Sequence, residues 1–364
     1  MKAAIFGIGR MGQAIGYAMD KLGYDLTVFD TDKESVCKLE AVIDKNVVHY
    51  LHIVDSHELK NINPDIVISS LPYLYTERVA RDCIQQGIRY CDLGGKVSVS
   101  NSINEYASEV ATAPVFTDLG LAPGWVNIIA EQGYKRVYDA TDVRMMVGGI
   151  PLVRPKGPLK YFMTWSLDGL LNEYRDDCEV LIDGEIKIIP GLDLIELVDP
   201  EWEECVALEA FCTSGGAAHT IKSMQRRGVK NCTYKTLRWI GHHELIDFFM
   251  NKCKFDNDQL AHILKASAEC EESHKDVVVI MVDVKNDSGL TWKKEHVIEC
   301  DEFSAMQKCT AFPIATIASM MAEGVFDDRK DERRGYYIDL PNTLTYSDVP
   351  FDEFNNRLDI LLNK

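Results

Sequence analysis

Through the first third of the chain, short continuous apolar runs alternate with stretches whose apolar residues recur every three to four positions. The runs at Lys2–Phe6, 25–30, 65–70, 89–93 and 115–118 have the length of buried strands, while 11–22 and 76–86 carry the amphipathic period of helices. Gly23 and Gly87 stand just past the two helical stretches, where glycine tolerates the left-handed turn that ends a helix. This rhythm predicts βαβ units and a parallel sheet over residues 1–120.

After Gly124 the pattern changes. Strand-like runs at 142–147, 178–182, 185–189, 208–213 and 277–285 dominate, with Asp183-Gly184 as a two-residue hairpin signal. Helical periods recur at 125–136, 216–227, 244–252, 257–268 and 305–322. An α+β second domain on a mainly antiparallel or mixed sheet is expected over 121–330. The segment 331–364, with a helix at 351–362, is expected to return to the first domain. The stretch 305–322 is too apolar for a surface helix and should be buried, whereas the charged run at 327–334 reads as a solvated loop.

Gly7-Ile8-Gly9-Arg10-Met11-Gly12 is a G-x-G-x-x-G directly after a predicted strand and opening a helix. In a Rossmann dinucleotide-binding fold the first glycine makes the tight turn, the second lets a pyrophosphate approach the backbone, and the third packs helix on strand. Asp30, followed by Thr31, ends the second strand about where a carboxylate receives the adenosine ribose hydroxyls. A carboxylate there repels a 2′-phosphate, so NAD is favoured over NADP. Arg10 points both ways: it would stack on adenine or reach a 2′-phosphate, or stand in solvent. Ser70-Leu71-Pro72-Tyr73, Asp92-Leu93-Gly94 and Ala122-Pro123-Gly124 leave the carboxyl ends of further strands, where ligands sit in open α/β sheets. Simple loop geometry explains the same glycines.

Composition narrows the partners. Against 39 basic side chains stand 57 acidic ones, a net charge of −18 that repels nucleic acid and anionic membrane surfaces. No apolar run of about twenty residues and no secretory leader is visible. The 11 cysteines form no C-x-x-C pair, and the histidines, His242-His243 included, lack metal-ligand spacing. A cytoplasmic protein without a metal is expected, with a small-molecule partner and, from a substrate-domain sheet face, a homodimer or higher homo-oligomer.

GIGRMG, SSLPY, YCDLGG and GLAPG, with GGIP (148–151), PLKY (158–161), WSLDGLLNEY (165–174), FCTSGG (211–216), YKTLR (234–238) and the helix 305–324, resemble the saccharopine dehydrogenase-like oxidoreductases. The second half is most similar to their lysine 6-dehydrogenase branch. Departures are Trp239-Ile240-Gly241-His242 for an aromatic-Pro-Gly-His run and Ala217-Ala218-His219 after Ser-Gly-Gly. The resemblance implies oxidation at the ε-carbon of L-lysine: hydride goes to the nicotinamide, the imine is hydrolysed and ammonia leaves. It also implies dinucleotide contacts from Gly7, Ile8, Gly9, Arg10, Met11, Gly12, Asp30, Thr31, Ser70, Leu71, Pro72, Gly94, Ala122, Pro123 and Gly124. Tyr73 and Asp92 are its catalytic candidates. Trp165, Glu173, Ser214, Lys235, Arg238 and His242 are its substrate-side candidates, with His219 a proton-transfer candidate. Each has a plainer reading. Asp92 would cap a loop, Glu173 would be an exposed helix carboxylate, and Lys235 and Arg238, flanking a turn in YKTLR, would be surface cations. Alternative functions are saccharopine- or carboxyspermidine-type reductive condensation, and a nucleotide-binding regulator without chemistry.

Overall fold

A computed structural model of the protein describes residues 1–45, 47–51, 56–163, 166–203, 205, 207–268, 275–327 and 342–363. It forms two compact units, residues 1–125 with 310–364, and residues 126–309. The second crossing therefore falls at 309/310, inside the helix Ala305–Ala322, rather than near 330. An uninterrupted apolar helix carries the polypeptide across, so composition marks no boundary there.

The first unit holds six parallel strands, β1 (Lys2–Phe6), β2 (Asp25–Phe29), β3 (Val48–Tyr50), β4 (Ile66–Ser69), β5 (Tyr90–Asp92) and β6 (Val115–Phe116), in the order β3-β2-β1-β4-β5-β6. It is the Rossmann arrangement that the alternating pattern predicts. Register partners Phe6, Phe29 and Tyr50 stack across the sheet with ring centroids 4.4 and 4.9 Å apart. Three helices escape the period analysis, the seven-residue Ser56–Ile62 among them. Lys33–Glu40 is short, and its signal is the cap: Asp32 accepts from the N–H groups of Glu34 and Ser35. Val97–Val110 is rich in Ser, Val and Asn, poor helix formers that are overridden by burial of Ser100, Ile103 and Ala107.

The C-terminal residues of this unit close its β6 edge. Val115 N–H donates to Asn342 O at 2.8 Å and Leu344 N–H to Val115 O at 2.8 Å. The helix Phe351–Leu362 buries Phe354, Leu358 and Leu361, and Arg357 bridges Glu323 and Glu353.

The second unit is built on β7 (Ala140–Pro151), β8 (Cys178–Ile182), β9 (Glu185–Ile189), β10 (Glu196–Val198), β11 (Leu208–Cys212), β12 (Asn231–Trp239), β13 (Asp276–Asn286) and β14 (Thr291–Glu299). Its order is β10-β11-β12-β7-β13-β14, with β8 pairing β12 and β9. Only β12 and β7 run parallel, so the sheet is mixed. YKTLR lies inside β12 and not at a turn. A strand hydrogen-bonded on both sides and covered on both faces tolerates polar residues when each finds a partner, which masks its alternation.

The helix Ala305–Ala322 is buried as expected, with Ile314, Ile317 and Met321 fully inside. Asp276, at the start of β13, caps it: the two carboxylate oxygens accept from Ala305 N–H at 2.8 Å and Met306 N–H at 3.0 Å. Among the described residues no helix is long and apolar enough to cross a membrane. Asp276→Ala should cost about 1–2 kcal/mol, since it orphans two buried donors at a helix start. A lowered denaturation midpoint with unchanged slope is the expected readout, and Asp276→Asn should recover part of the loss.

Candidate active site

The strand order leaves β1 and β4 side by side, with Phe6 opposite Ser69, and the connections wind away from them in opposite directions. Ligands of open α/β sheets bind outside the carboxyl ends at such a point. Here the three glycines do three different things. Gly7 has φ +85°, and a Cβ on it would stand 2.9 Å from Ser70 O. On Gly12 a Cβ would lie 1.9 Å from Gly7 O. At Gly9 it would meet nothing within 4 Å, so the one glycine of the three not needed by the fold faces open space.

Helix Arg10–Lys21 starts at that space without a capping side chain, the arrangement in which a helix N-terminus receives an anion. Asp30 is fixed at the turn, accepting from Ile8 N–H at 2.5 Å and Asp32 N–H at 2.8 Å. Arg10 and Thr31 are exposed and Met11 is half-buried. These residues fit a nicotinamide dinucleotide, with Gly7–Gly12 for the pyrophosphate and Asp30 for the ribose.

The neighbouring loops are tightly bound. Ser70 N–H donates to Phe6 O at 2.7 Å, and Thr76 Oγ1 donates to the carbonyls of Leu71 and Pro72, fixing the start of helix Tyr73–Gln85. Tyr73 is half-buried, its ring centroid 5.4 Å from Lys96 Nζ. Asp92, only 1% exposed, accepts from Tyr90 OH at 3.0 Å, Gly94 N–H at 2.9 Å and Asp118 N–H at 3.1 Å. Burial raises its pKa to about 6 against the pull of those three bonds. Both its oxygens are engaged, Oδ1 twice and Oδ2 once, as the loop-capping reading of the sequence expects.

Asp118, missed in the sequence, lies beside it. Its pKa is raised to about 7 by burial and then by Asp92, while Ser100 Oγ donates to it at 2.7 Å. A Cβ on Gly94 would stand 2.3 Å from Asp118 Oδ1, so this glycine is there for the carboxyl. Ala122-Pro123 is a cis peptide, and Gly124 is pressed so close to Gly120 that a Cβ would stand 2.0 Å from its oxygen.

In the second unit the structure brings Glu173, Arg238 and His242 together and separates Lys235 from them. Lys235 Nζ donates to Leu194 O and, at 2.7 Å, to Glu196, so its charge serves the fold. Arg238, three positions on and hence on the opposite face of β12, is 3% exposed. Its Nε donates to Tyr174 OH at 3.2 Å and its Nη1 to Leu237 O at 3.0 Å, and its Cζ lies 4.7 Å from the Tyr161 ring centroid. Among the described residues no carboxylate comes within the 4.0 Å of an ion pair with it.

Glu173 is half-buried near the end of helix Leu167–Arg175. Burial pushes its pKa up to about 7, with Arg238 opposing, and among the described residues its carboxyl accepts no hydrogen bond. Ser214 is a structural tie, its N–H and Oγ donating to Glu173 O and Asn172 O at 3.0 and 3.1 Å. His242 is fully buried and its pKa is lowered to about 3, first by burial and then by Arg238.

His219 precedes helix Thr220–Arg226. The turn there is held by Asn127 Nδ2, which donates to the oxygens of Gly216, Ala217 and Thr220. Trp165 lies outside the described residues. Sequence reasoning missed Tyr161, Tyr174 and Asn127. The first two sit inside the motifs PLKY and NEY, and only their burial beside Arg238 distinguishes them.

The glycine turn separates folding from binding. Gly9→Ala should leave the melting temperature within about 1 °C, because its Cβ meets no protein atom, and weaken NADH binding at least about tenfold in a fluorescence titration. Gly12→Ala should instead destabilise the unit.

Comparisons with known proteins bear on the family and the fold. A saccharopine dehydrogenase [NADP(+), L-glutamate-forming] of Pyricularia oryzae is 23% identical over 350 residues, covering 94% of this chain and 75% of that protein. A mitochondrial alpha-aminoadipic semialdehyde synthase of Rattus norvegicus is 23% identical over 208 residues, 55% of this chain and 22% of that one. Among solved structures, the apo saccharopine dehydrogenase (L-Glu forming) of Saccharomyces cerevisiae superposes with a TM-score of 0.75 at 16% identity, covering 100% of this chain and 97% of its own. The family model described as the saccharopine dehydrogenase C-terminal domain matches residues 120–339, more than half of the sequence, and the chain therefore belongs to that family of saccharopine dehydrogenase-like oxidoreductases.

Proposed function

We propose that this protein is an NAD-dependent oxidoreductase acting at a carbon–nitrogen bond in the side chain of a free amino acid, with L-lysine as the first substrate to test. The observation that carries the amino-acid part is Arg238. A guanidinium taken out of water costs several kcal/mol unless an anion meets it, and its only hydrogen-bond acceptors among the described residues are a phenol and a backbone carbonyl. A substrate carboxylate fills that vacancy with two parallel hydrogen bonds.

Glu173, poised at about 7, suits either the α-ammonium of the substrate or the proton shed by the reacting amine. Oxidation of the ε-carbon needs that amine neutral, so that its lone pair expels hydride; water then adds to the imine and ammonia leaves. NAD, when bound, supplies the hydride acceptor. Asp92 keeps its loop in place in this reading.

The choice of NAD over NADP rests on Asp30; the saccharopine dehydrogenase of Pyricularia oryzae carries NADP(+) in its name. The relatives' names also support a second reading, reductive condensation of an amine with an aldehyde, which shares the dinucleotide and the hydride step. A panel of L-lysine, other amines and semialdehyde acids, followed by NADH absorbance in both directions, separates the two. L-Lysine should be oxidised with NAD at least about tenfold better than with NADP by kcat/KM, a difference of about 1.4 kcal/mol. Equal use of both cofactors removes the role given to Asp30, and NADH binding without turnover of any substrate in the panel favours a regulator.

The pH profile derives from Glu173. A carboxyl whose pKa is raised to about 7 ionises, and so becomes a base, only above that value. With Glu173 as the base, kcat/KM should rise about tenfold per pH unit below 7 and level off above it. Glu173→Gln should abolish this limb; a limb that persists assigns it to another group.

A further inference from the structure

The guanidinium of Arg238 ends a series of hydrogen bonds whose direction can be read. His242 Nδ1 lies 2.7 Å from Leu159 O, and a carbonyl only accepts, so Nδ1 carries the proton. With the ring neutral because of its burial, Nε2 has a bare lone pair and accepts from Tyr174 OH at 2.9 Å. The Tyr174 oxygen, its own proton given to His242, turns its lone pairs outward and accepts from Arg238 Nε at 3.2 Å. From Leu159 O to Arg238 Nε no bond in the series can be reversed. Below the guanidinium plane the Tyr161 ring, 4.7 Å away, fixes the remaining tilt, and Tyr161 and Tyr174 both pack on the His242 imidazole with centroids 5.2 and 5.8 Å away.

We propose that Tyr174 and His242 are positioning residues that set the orientation of the Arg238 fork for a substrate carboxylate. The inference rests on the reading of Arg238 as the carboxylate anchor. A guanidinium held at Nε and stacked on a ring has lost its rotation before the ligand arrives, so less entropy is lost on binding. Neutrality of His242 is part of the device, since an imidazolium would turn the Tyr174 bond around and set a second cation beside the anchor.

The test uses the full-length protein and two inert probes, L-norleucine, which has the carboxylate but no ε-amine, and n-pentylamine, which has no carboxylate. Their affinities are read by calorimetry in the presence of NADH, beside KM and kcat for L-lysine. Tyr174→Phe should weaken L-norleucine binding and raise KM about tenfold, leave n-pentylamine unchanged, and keep kcat within about twofold. Placed on Arg238→Ala, which should weaken L-norleucine more, Tyr174→Phe should add less than about twofold. Additive losses, or a fall in kcat with L-norleucine affinity intact, overturn the positioning role. If Arg238→Ala leaves L-norleucine affinity unchanged, or the unmodified protein binds no L-norleucine, the anchor reading itself falls and this inference with it. Should Tyr174→Phe not fold, His242→Leu is read on the same constants, and unchanged L-norleucine affinity there is equally decisive against the proposal.

Discussion

Two backbones meet where β1 and β4 end, and the glycine turn depends on that approach. Gly7 lies so close to the Ser70 carbonyl that a methyl group would not fit, and Gly12 lies closer still to Gly7. Because the atoms in the way are backbone, no change of rotamer relieves them. The consequences are geometric. With the turn pressed flat against β4, the start of helix Arg10–Lys21 is left uncapped over open space at Gly9, and Asp30 reaches the turn from β2. The stacked rings of Phe6, Phe29 and Tyr50 hold the register beneath it, and Asp30 N–H is itself bonded to Tyr50 O at 3.1 Å.

In the second unit the governing constraint is the burial of charge. The other buried cations have acidic partners, as Lys235 has Glu196 and Lys308 has Asp301, and half-buried Arg227 has Glu131. Arg238 has only neutral acceptors among the described residues, in a protein whose net charge is −18. Removing a guanidinium from water without a counter-ion is one of the costlier arrangements a fold sustains, and such arrangements concentrate where ligands bind. Glu173, close enough for its field to be felt yet beyond ion-pair distance, leaves the pair open to a zwitterion.

The sequence was most legible where local rules are strict. The glycine turn, its strand and helix and Asp30 announce themselves because each needs one residue type at one spacing, and the burial of 305–322 followed from its apolar content. Legibility failed where tertiary contacts override local preference. The helix Val97–Val110 has poor intrinsic propensity, β12 carries buried polar residues that mask its alternation, and the unit boundary falls inside a continuous helix. At the site, the chemistry of a planar guanidinium already favours Arg238 over Lys235 as a carboxylate anchor, but that Lys235 has a carboxylate of its own, Glu196, only the fold shows. Asp92 shows the converse: a strand-end carboxylate ahead of two glycines suggests catalysis, while its three hydrogen bonds show what the glycines accommodate.

Burial is the first cause of the shifts at Asp92, Asp118, Glu173 and His242, and its sign follows the charge type. Asp92, Asp118 and Glu173 are raised because the charged form is an anion, and His242 is lowered because it is a cation. Near neutral pH the consequence for the second unit is simple. His242 contributes no charge, Arg238 contributes one that does not titrate, and Glu173, at about 7, changes state. The charge presented to a ligand there is therefore set by Glu173 alone among these three. It is near +1 when Glu173 is protonated, which favours a bare carboxylate, and near zero when Glu173 is ionised, which favours a molecule carrying both carboxylate and ammonium.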